Sequence, residues 1–246
     1  MHGSDVAADG FARVLVVAAH LDDPEFVHGA LIAMLVDAGS DVRYVICTDG
    51  SRGGDVPSIS DVQLIATRYE EQWRAAMVLG VRDVMFLGLR EGHLAPSPEL
   101  RHAIERELRR VQPDLVVTHT PHRPPAATAL PDPDHLAVGE ATLAAVVMAA
   151  AAPSGHRVRE VWIPGLEPTD HAIEVTAAAV DRQVQAMLCH RSQLQARGPH
   201  AGDPARWDPD RLGVVEAAKQ LLREQGARSD EGYEFAARVR RLRPDV

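Results

Sequence analysis

The run Val14-Leu15-Val16-Val17-Ala18-Ala19-His20-Leu21-Asp22-Asp23-Pro24-Glu25 sets the fold. Its first half is continuously apolar and β-branched, then stops abruptly at polar residues. That is the pattern of a strand buried on both faces of a parallel sheet, opening at its C-terminal end onto the next element. Open α/β sheets bind ligands in the crevice beyond those strand ends. One histidine and two aspartates are thus delivered to the edge where such folds do chemistry. Imidazole and carboxylate suit a borderline cation such as zinc. One carboxylate can bind the ion while its neighbour handles the proton of a water. Pro24 fits the first turn of a helix, with Asp23 as its N-cap. A plainer reading stands beside this one: Asp-Asp-Pro after a strand caps helices, and a single histidine is commonly a core side chain.

Outward from this run the chain alternates. A strand at 12–19 leads to a helix at 25–38 closed by Gly39, then a strand at 42–48 and a loop at 49–55. A long helix at 61–79 ends at Gly80; a short strand at 84–87, a helix at 97–111 and a strand at 115–118 ending at His119 follow. This β-α alternation with short connections predicts an α/β fold, a Rossmann-like three-layer sandwich with a largely parallel sheet. Further on, 121–133 reads as a long loop at the same edge, 134–152 as an Ala-rich helix, and 160–164 and 173–175 as strands. Residues 176–195 read as a helix, 197–209 as a Gly/Pro-rich loop holding Trp207, 212–224 as a helix and 233–242 as a closing strand. With no repeat and no internal boundary, 1–246 is expected to be one domain, 1–11 being a flexible tail.

Bulk properties narrow the function. The formal charge of −9 is spread among interspersed acidic and basic residues. No basic stripe is present, so nucleic acid is not the expected partner. No apolar segment is expected to span a membrane, and the first ten residues do not resemble a signal peptide. Two cysteines, Cys47 and Cys189, fit small buried residues in a reducing cytoplasm. Neither G-x-G-x-x-G at the first turn nor G-x-x-x-x-G-K-[ST] occurs, which disfavours a nucleotide. Gly50, Gly53 and Gly54 read as turn residues or as backbone facing a substrate.

An open zinc site needs a third protein ligand. His135, in Pro131-Asp132-Pro133-Asp134-His135, can supply it, because sequential parallel strands end on one edge and the loop can fold back over the first. Asp134 is placed to cap a helix or to support a ligand. Read alone, these are also ordinary loop and cap residues.

Together the two motifs resemble the LmbE-like, or PIG-L, family of zinc-dependent N-acetylglucosamine deacetylases, which carries A-H-P-D-D-x-E and, later, H-P-D-H-x-x-x-G. Here they stand as Ala19-His20-Leu21-Asp22-Asp23-Pro24-Glu25 and Asp132-Pro133-Asp134-His135-Leu136-Ala137-Val138-Gly139. Thr48-Asp49-Gly50, Arg68-Tyr69-Glu70-Glu71, His190-Arg191-Ser192-Gln193 and Gly232-Tyr233-Glu234-Phe235 extend the similarity across residues 12–240. The resemblance implies His20, Asp23 and His135 as Zn2+ ligands and Asp22 as general base. Asp132 and Asp134 join Asp22 as candidate catalytic carboxylates, with Arg68, Gly50 and His119 as candidate substrate-binding residues.

Two positions depart from the family. Leu21 replaces a proline. Asp132 replaces the first His of H-P-D-H, which is thought to assist the oxyanion or act as an acid. An ionised carboxylate there repels an oxyanion and can donate only when protonated. His119 or His122 is a candidate substitute. Arg68 either reaches the site or pairs with Glu71, and His190 either supports the site or only packs. The expected function is removal of an acyl group, acetyl above all, from an amino sugar or glycoside-like small molecule. The Ala, Arg and Pro content suits a GC-rich genome and specialised metabolism. A hydratase-like zinc enzyme and a zinc-binding protein without turnover are the alternatives that Asp132 keeps open, and homo-oligomers are compatible with the fold.

Overall fold

The computed structural model describes residues 10–53, 59–122, 132–152, 155–164, 171–197, 213, 215–216, 219–220, 223–224 and 234–244. In chain order its elements are β1 (Arg13–Ala18), α1 (Asp23–Asp37), β2 (Asp41–Thr48), α2 (Asp61–Leu79), β3 (Asp83–Leu89), α3 (Pro98–Val111), β4 (Leu115–Thr118) and α4 (Pro133–Ala151). They continue with β5 (Glu160–Pro164), β6 (His171–Glu174), α5 (Ala177–Met187), α6 (Arg191–Arg197) and β7 (Ala236–Leu242). Residues 1–9 of the expected tail, nearly all of the Gly/Pro-rich loop with Trp207, Gly54, and most of the 121–133 loop and the 212–224 helix lie outside the described residues; Phe11, read as part of the tail, is buried in the core instead.

Seven strands form one sheet in the order β3-β2-β1-β4-β5-β7-β6. The first five run parallel, and β7 pairs antiparallel with both β5 and β6. The largely parallel α/β architecture read from the sequence is present. Side chains alternate across each strand. Val14, Val16 and Ala18 therefore enter one core, while Leu15, Val17 and Ala19 enter the other. The first core lies under α1, α2 and α5, the second under α3 and α4.

Connections run outward from β1 to β2 and β3 on one side, and through β4 and β5 on the other. The crevice between β1 and β4 is thus the topological switch point, where this class of sheet binds its ligand. His20 follows β1 and His119 follows β4, so both sit at that crevice. Gly139, on α4, is required by the close approach of this helix to the same strand end. A Cβ there would lie 2.5 Å from the Thr120 carbonyl.

Three expectations change. Residues 176–195 are two helices, because a turn at Leu188–His190, closed by short backbone bonds from Cys189 to Ala186 and from His190 to Met187, swings His190 inward. Helix α1 begins at Asp23, so Asp22 and not Asp23 is its N-cap. Among the described residues one helix, α4, is long and apolar enough to cross a membrane by length and composition. Its composition is that of a core helix: Val138, Ala141, Ala145, Val146 and Ala149 are buried in the second core. Cys47 is buried, Cys189 is partly buried, and both are free thiols.

Candidate metal centre

The centre is built from the end of β1 and the start of α4. His135 Nε2 lies 3.2 Å from His20 Nδ1 and 3.2 Å from Asp23 Oδ1, and His20 Nδ1 is 3.5 Å from Asp23 Oδ2. Ligand bonds of about 2.0–2.2 Å in a tetrahedron place donor atoms about 3.3–3.6 Å apart. The two ring nitrogens and the Asp23 carboxylate, one oxygen toward each ring, therefore form a triangle of three residues close to the size of one face of a zinc tetrahedron, and these residues fit the ion.

Surrounding groups fix the triangle. The His20 amide donates to Asp23 Oδ2 at 2.7 Å, which ties the carboxylate to its own loop. Asp134 faces His20 Nε2 at 3.4 Å and is itself held by the amides of Gly92 (2.6 Å) and Leu94 (3.0 Å). This is the carboxylate–histidine arrangement that leaves the other ring nitrogen free for a metal. Buried and bonded this way, Asp134 supports His20 and does not face the cleft, unlike the catalytic placement read from sequence. Asp132 is the N-cap of α4, its Oδ1 accepting the Asp134 amide at 2.8 Å.

In front of the triangle is a cleft of ≈290 Å³. His20, Asp22, Asp23, Asp132 and His135 line it, together with Phe26, Arg52, Gly53, Arg68, Glu91 and Gln193. Arg68 is buried and donates to Asp22 Oδ1 (3.3 Å), Glu91 Oε2 (3.0 Å) and the Gly50 carbonyl (2.9 Å). It therefore reaches the site, and Glu71 bonds Ser192 instead. Gly53 has no room for a side chain: a Cβ would lie 1.9 Å from Arg68 Nη1. Gly50 is buried and adopts φ +75°. It serves the site by its carbonyl to Arg68, not as a lining residue.

His119 was expected to touch substrate; it lies behind the triangle. Its ring stacks on His135 at 4.0 Å, its Nε2 accepts the Ala19 amide at 3.0 Å, and it is 3.2 Å from Asp23 Oδ2. Burial lowers its pKa. His122 is exposed, and among the described residues neither histidine lines the cleft. Sequence reasoning missed Glu91, Arg52 and Phe26. Glu91 had a signal of sorts, an acidic residue just past the end of a parallel strand.

Charge is concentrated here. Burial opposes a proton on His20, but the hydrogen bond and charge of Asp23, with Glu91 and Asp132, raise its pKa from 6.5 to about 9. Asp23 likewise outweighs burial at His135 and raises that pKa. Burial also opposes the charge on Asp23, yet His119, His135 and His20 together hold its pKa well below the ordinary value. A histidine with a raised pKa stabilises the folded state fully below its unfolded value and loses that stabilisation as pH rises through the folded one. The metal-free protein should therefore lose thermal stability from pH 6.5 to about 9. A metal ion binds the neutral imidazole, so any uptake of zinc at these residues should tighten over the same window. Melting temperatures of metal-free protein and zinc titrations at several pH values test this; parallel curves for the wild type and His20→Ala would contradict it.

The model of the GlcNAc-PI de-N-acetylase (PIG-L) family matches residues 15–146, which carry both motifs. The chain belongs to this family. Diacetylchitobiose deacetylase of Thermococcus kodakarensis is 33% identical over 162 residues, 66% of this chain and 57% of that protein. The chain thus spans little more than half of that relative. A probable N-acetyl-alpha-D-glucosaminyl L-malate deacetylase 2 of Bacillus anthracis is 27% identical over 199 residues, covering 75% of this chain and 83% of that one. The solved N,N'-diacetylchitobiose deacetylase of Pyrococcus horikoshii has the same fold, with a TM-score of 0.81 at 22% identity over 96% of this chain and 85% of that one. The two relatives matched in sequence are thus a deacetylase of diacetylchitobiose and a probable deacetylase of N-acetyl-alpha-D-glucosaminyl L-malate.

Proposed function

We propose that this chain is a zinc-dependent hydrolase that removes an acetyl or related acyl group from an amino sugar or an amino-sugar glycoside. The observation that carries this reading is the triangle of His20, Asp23 and His135, open to a cleft that also holds Asp22. Two imidazoles and one carboxylate are the donor set of a catalytic zinc with one position left for chemistry. A zinc ion held there would supply Lewis acidity, activating water near neutral pH and polarising the acyl carbonyl. The amino-sugar substrates of the relatives support the substrate class.

Asp22 is the proton carrier. Arg68 engages only its Oδ1, and among the described residues Oδ2 has no hydrogen-bond partner. That oxygen can take a proton from the attacking water and return it to the departing nitrogen. Arg68 and Glu91, which line the cleft beside Asp22, offer a donor and an acceptor to sugar hydroxyls.

Asp132 sets this chain apart. Its Oδ1 is spent on the helix cap, and a carboxylate presents acceptors where an oxyanion needs a donor. A well-placed donor is worth ~10²–10³ in kcat. Asp132→His should therefore raise kcat by about tenfold or more, even as loss of the cap lowers stability by about 1 kcal/mol. The test is release of free amine from a panel of N-acetylated amino sugars, with zinc and with chelator, beside hydration of unsaturated acids. Amine release that needs metal is expected. Zinc-loaded wild type and Asp132→His that both release no amine would overturn the hydrolase reading, and hydration alone would favour the hydratase-like one.

A further inference from the structure

Asp22 occupies the N-cap of α1, yet its side chain makes no capping bond to the helix. It is turned to Arg68 instead. An aspartate in this position ordinarily satisfies the free amides of the first turn. Here that turn carries Asp23 and must be held by other means.

Glu25, two residues on, supplies them. Its carboxylate is 0% exposed. The Gln72 amide donates to it at 3.1 and 3.3 Å, and His190 Nε2 stands 3.1 Å from Oε2. His190 is itself 0% exposed and reaches Glu25 because the chain turns between α5 and α6. The same segment is fastened on two more sides. Ser192 donates through its amide and hydroxyl to Glu71 on α2, at 2.8 and 2.7 Å. Gln193 donates to the Gly53 carbonyl at 2.9 Å on the cleft wall.

We propose that His190 is a positioning residue: through Glu25 it holds the first turn of α1, and with it Asp22 and Asp23, in the geometry that metal binding and proton transfer need. With no cap from Asp22, the turn is held by this bond together with the Gln183 amide, which donates to the Glu25 carbonyl at 2.9 Å. A carboxylate taken from water does not tolerate loss of a partner. Without His190, the buried Glu25 carboxylate keeps, among the described residues, only the Gln72 amide as a side-chain partner and shifts to compensate, and the turn carrying the ligand moves with it. This inference rests on the proposed zinc hydrolase reading.

The test measures zinc affinity by competition with a chromophoric chelator, and kcat and KM per bound zinc, for His190→Ala, His190→Gln and Ile104→Ala. Ile104 is buried in the opposite core and controls for loss of stability alone. Supporting groups around metal ligands are worth ~10–100-fold in affinity. His190→Ala should lose about tenfold in zinc affinity and in kcat with KM nearly unchanged. His190→Gln, which keeps a donor, should recover most of both, and Ile104→Ala should melt lower with affinity and kcat intact. Wild-type affinity and kcat in His190→Ala, or no recovery in His190→Gln, would overturn the inference. A wild type that takes up no zinc would overturn the metal reading itself, and this inference with it.

Discussion

Asp22→Asn should lower kcat on N-acetylated amino sugars by about 10³-fold, within the ~10²–10⁴ range of a positioned proton carrier. The substitution isolates chemistry from structure. Asparagine has the same shape, and its carbonyl oxygen can still accept from Arg68 Nη2, which lies 3.3 Å from Asp22 Oδ1. Arg68 also keeps its bonds to Glu91 and to the Gly50 carbonyl. Because Asp22 makes no capping bond, α1 loses nothing at its start. Zinc content and melting temperature should therefore stay near wild type, and KM should change by only a few-fold. A loss confined to kcat and kcat/KM alike marks an interaction made in the transition state. A kcat within tenfold of wild type would assign the proton transfer to another group.

Much of the framework was legible because it rests on local patterns. The apolar run 14–18 is buried on both faces, which only a central parallel strand requires, and its alternation fills the two cores. The order of strand ends then brought His20 and His135 together, as the sheet rule implies. What stayed hidden depends on contacts between distant segments. His119 shows no sequence sign of lying behind His135 instead of in the cleft. Whether Arg68 would meet Glu71 or Asp22 depended on how the 49–53 loop crosses α2, and Gly53 permits the closer course. Of the two roles open to Asp134, support of a ligand is the one seen, because a helix beginning at Pro133 is capped by Asp132, leaving Asp134 free to turn inward. The break in 176–195 was masked by continuous helical spacing, since the tie from His190 to Glu25 spans 165 residues.

Removing a metal ligand should have the largest effect of all. His20 and His135 supply two corners of the triangle, 3.2 Å apart, and a site left with one imidazole and one carboxylate is not a zinc site of the catalytic kind. Each alanine variant should fold, since His135 is partly exposed and His20 lies at the cleft. Each should be inactive with zinc in excess. Stabilisation by zinc should vanish with the ligands: an ion at a thousandfold excess over its Kd raises wild-type stability by about 4 kcal/mol, and neither variant should gain it. Partial stabilisation of either variant by zinc would contradict the part assigned to that ring.

The most direct measurement is zinc per chain, determined by elemental analysis after gel filtration, for wild type, His20→Ala and His135→Ala. About one zinc in the wild type and none in either variant is the expected result. A wild type that neither retains nor takes up zinc, or variants that hold it as firmly as the wild type, would contradict the metal centre and the hydrolase built on it.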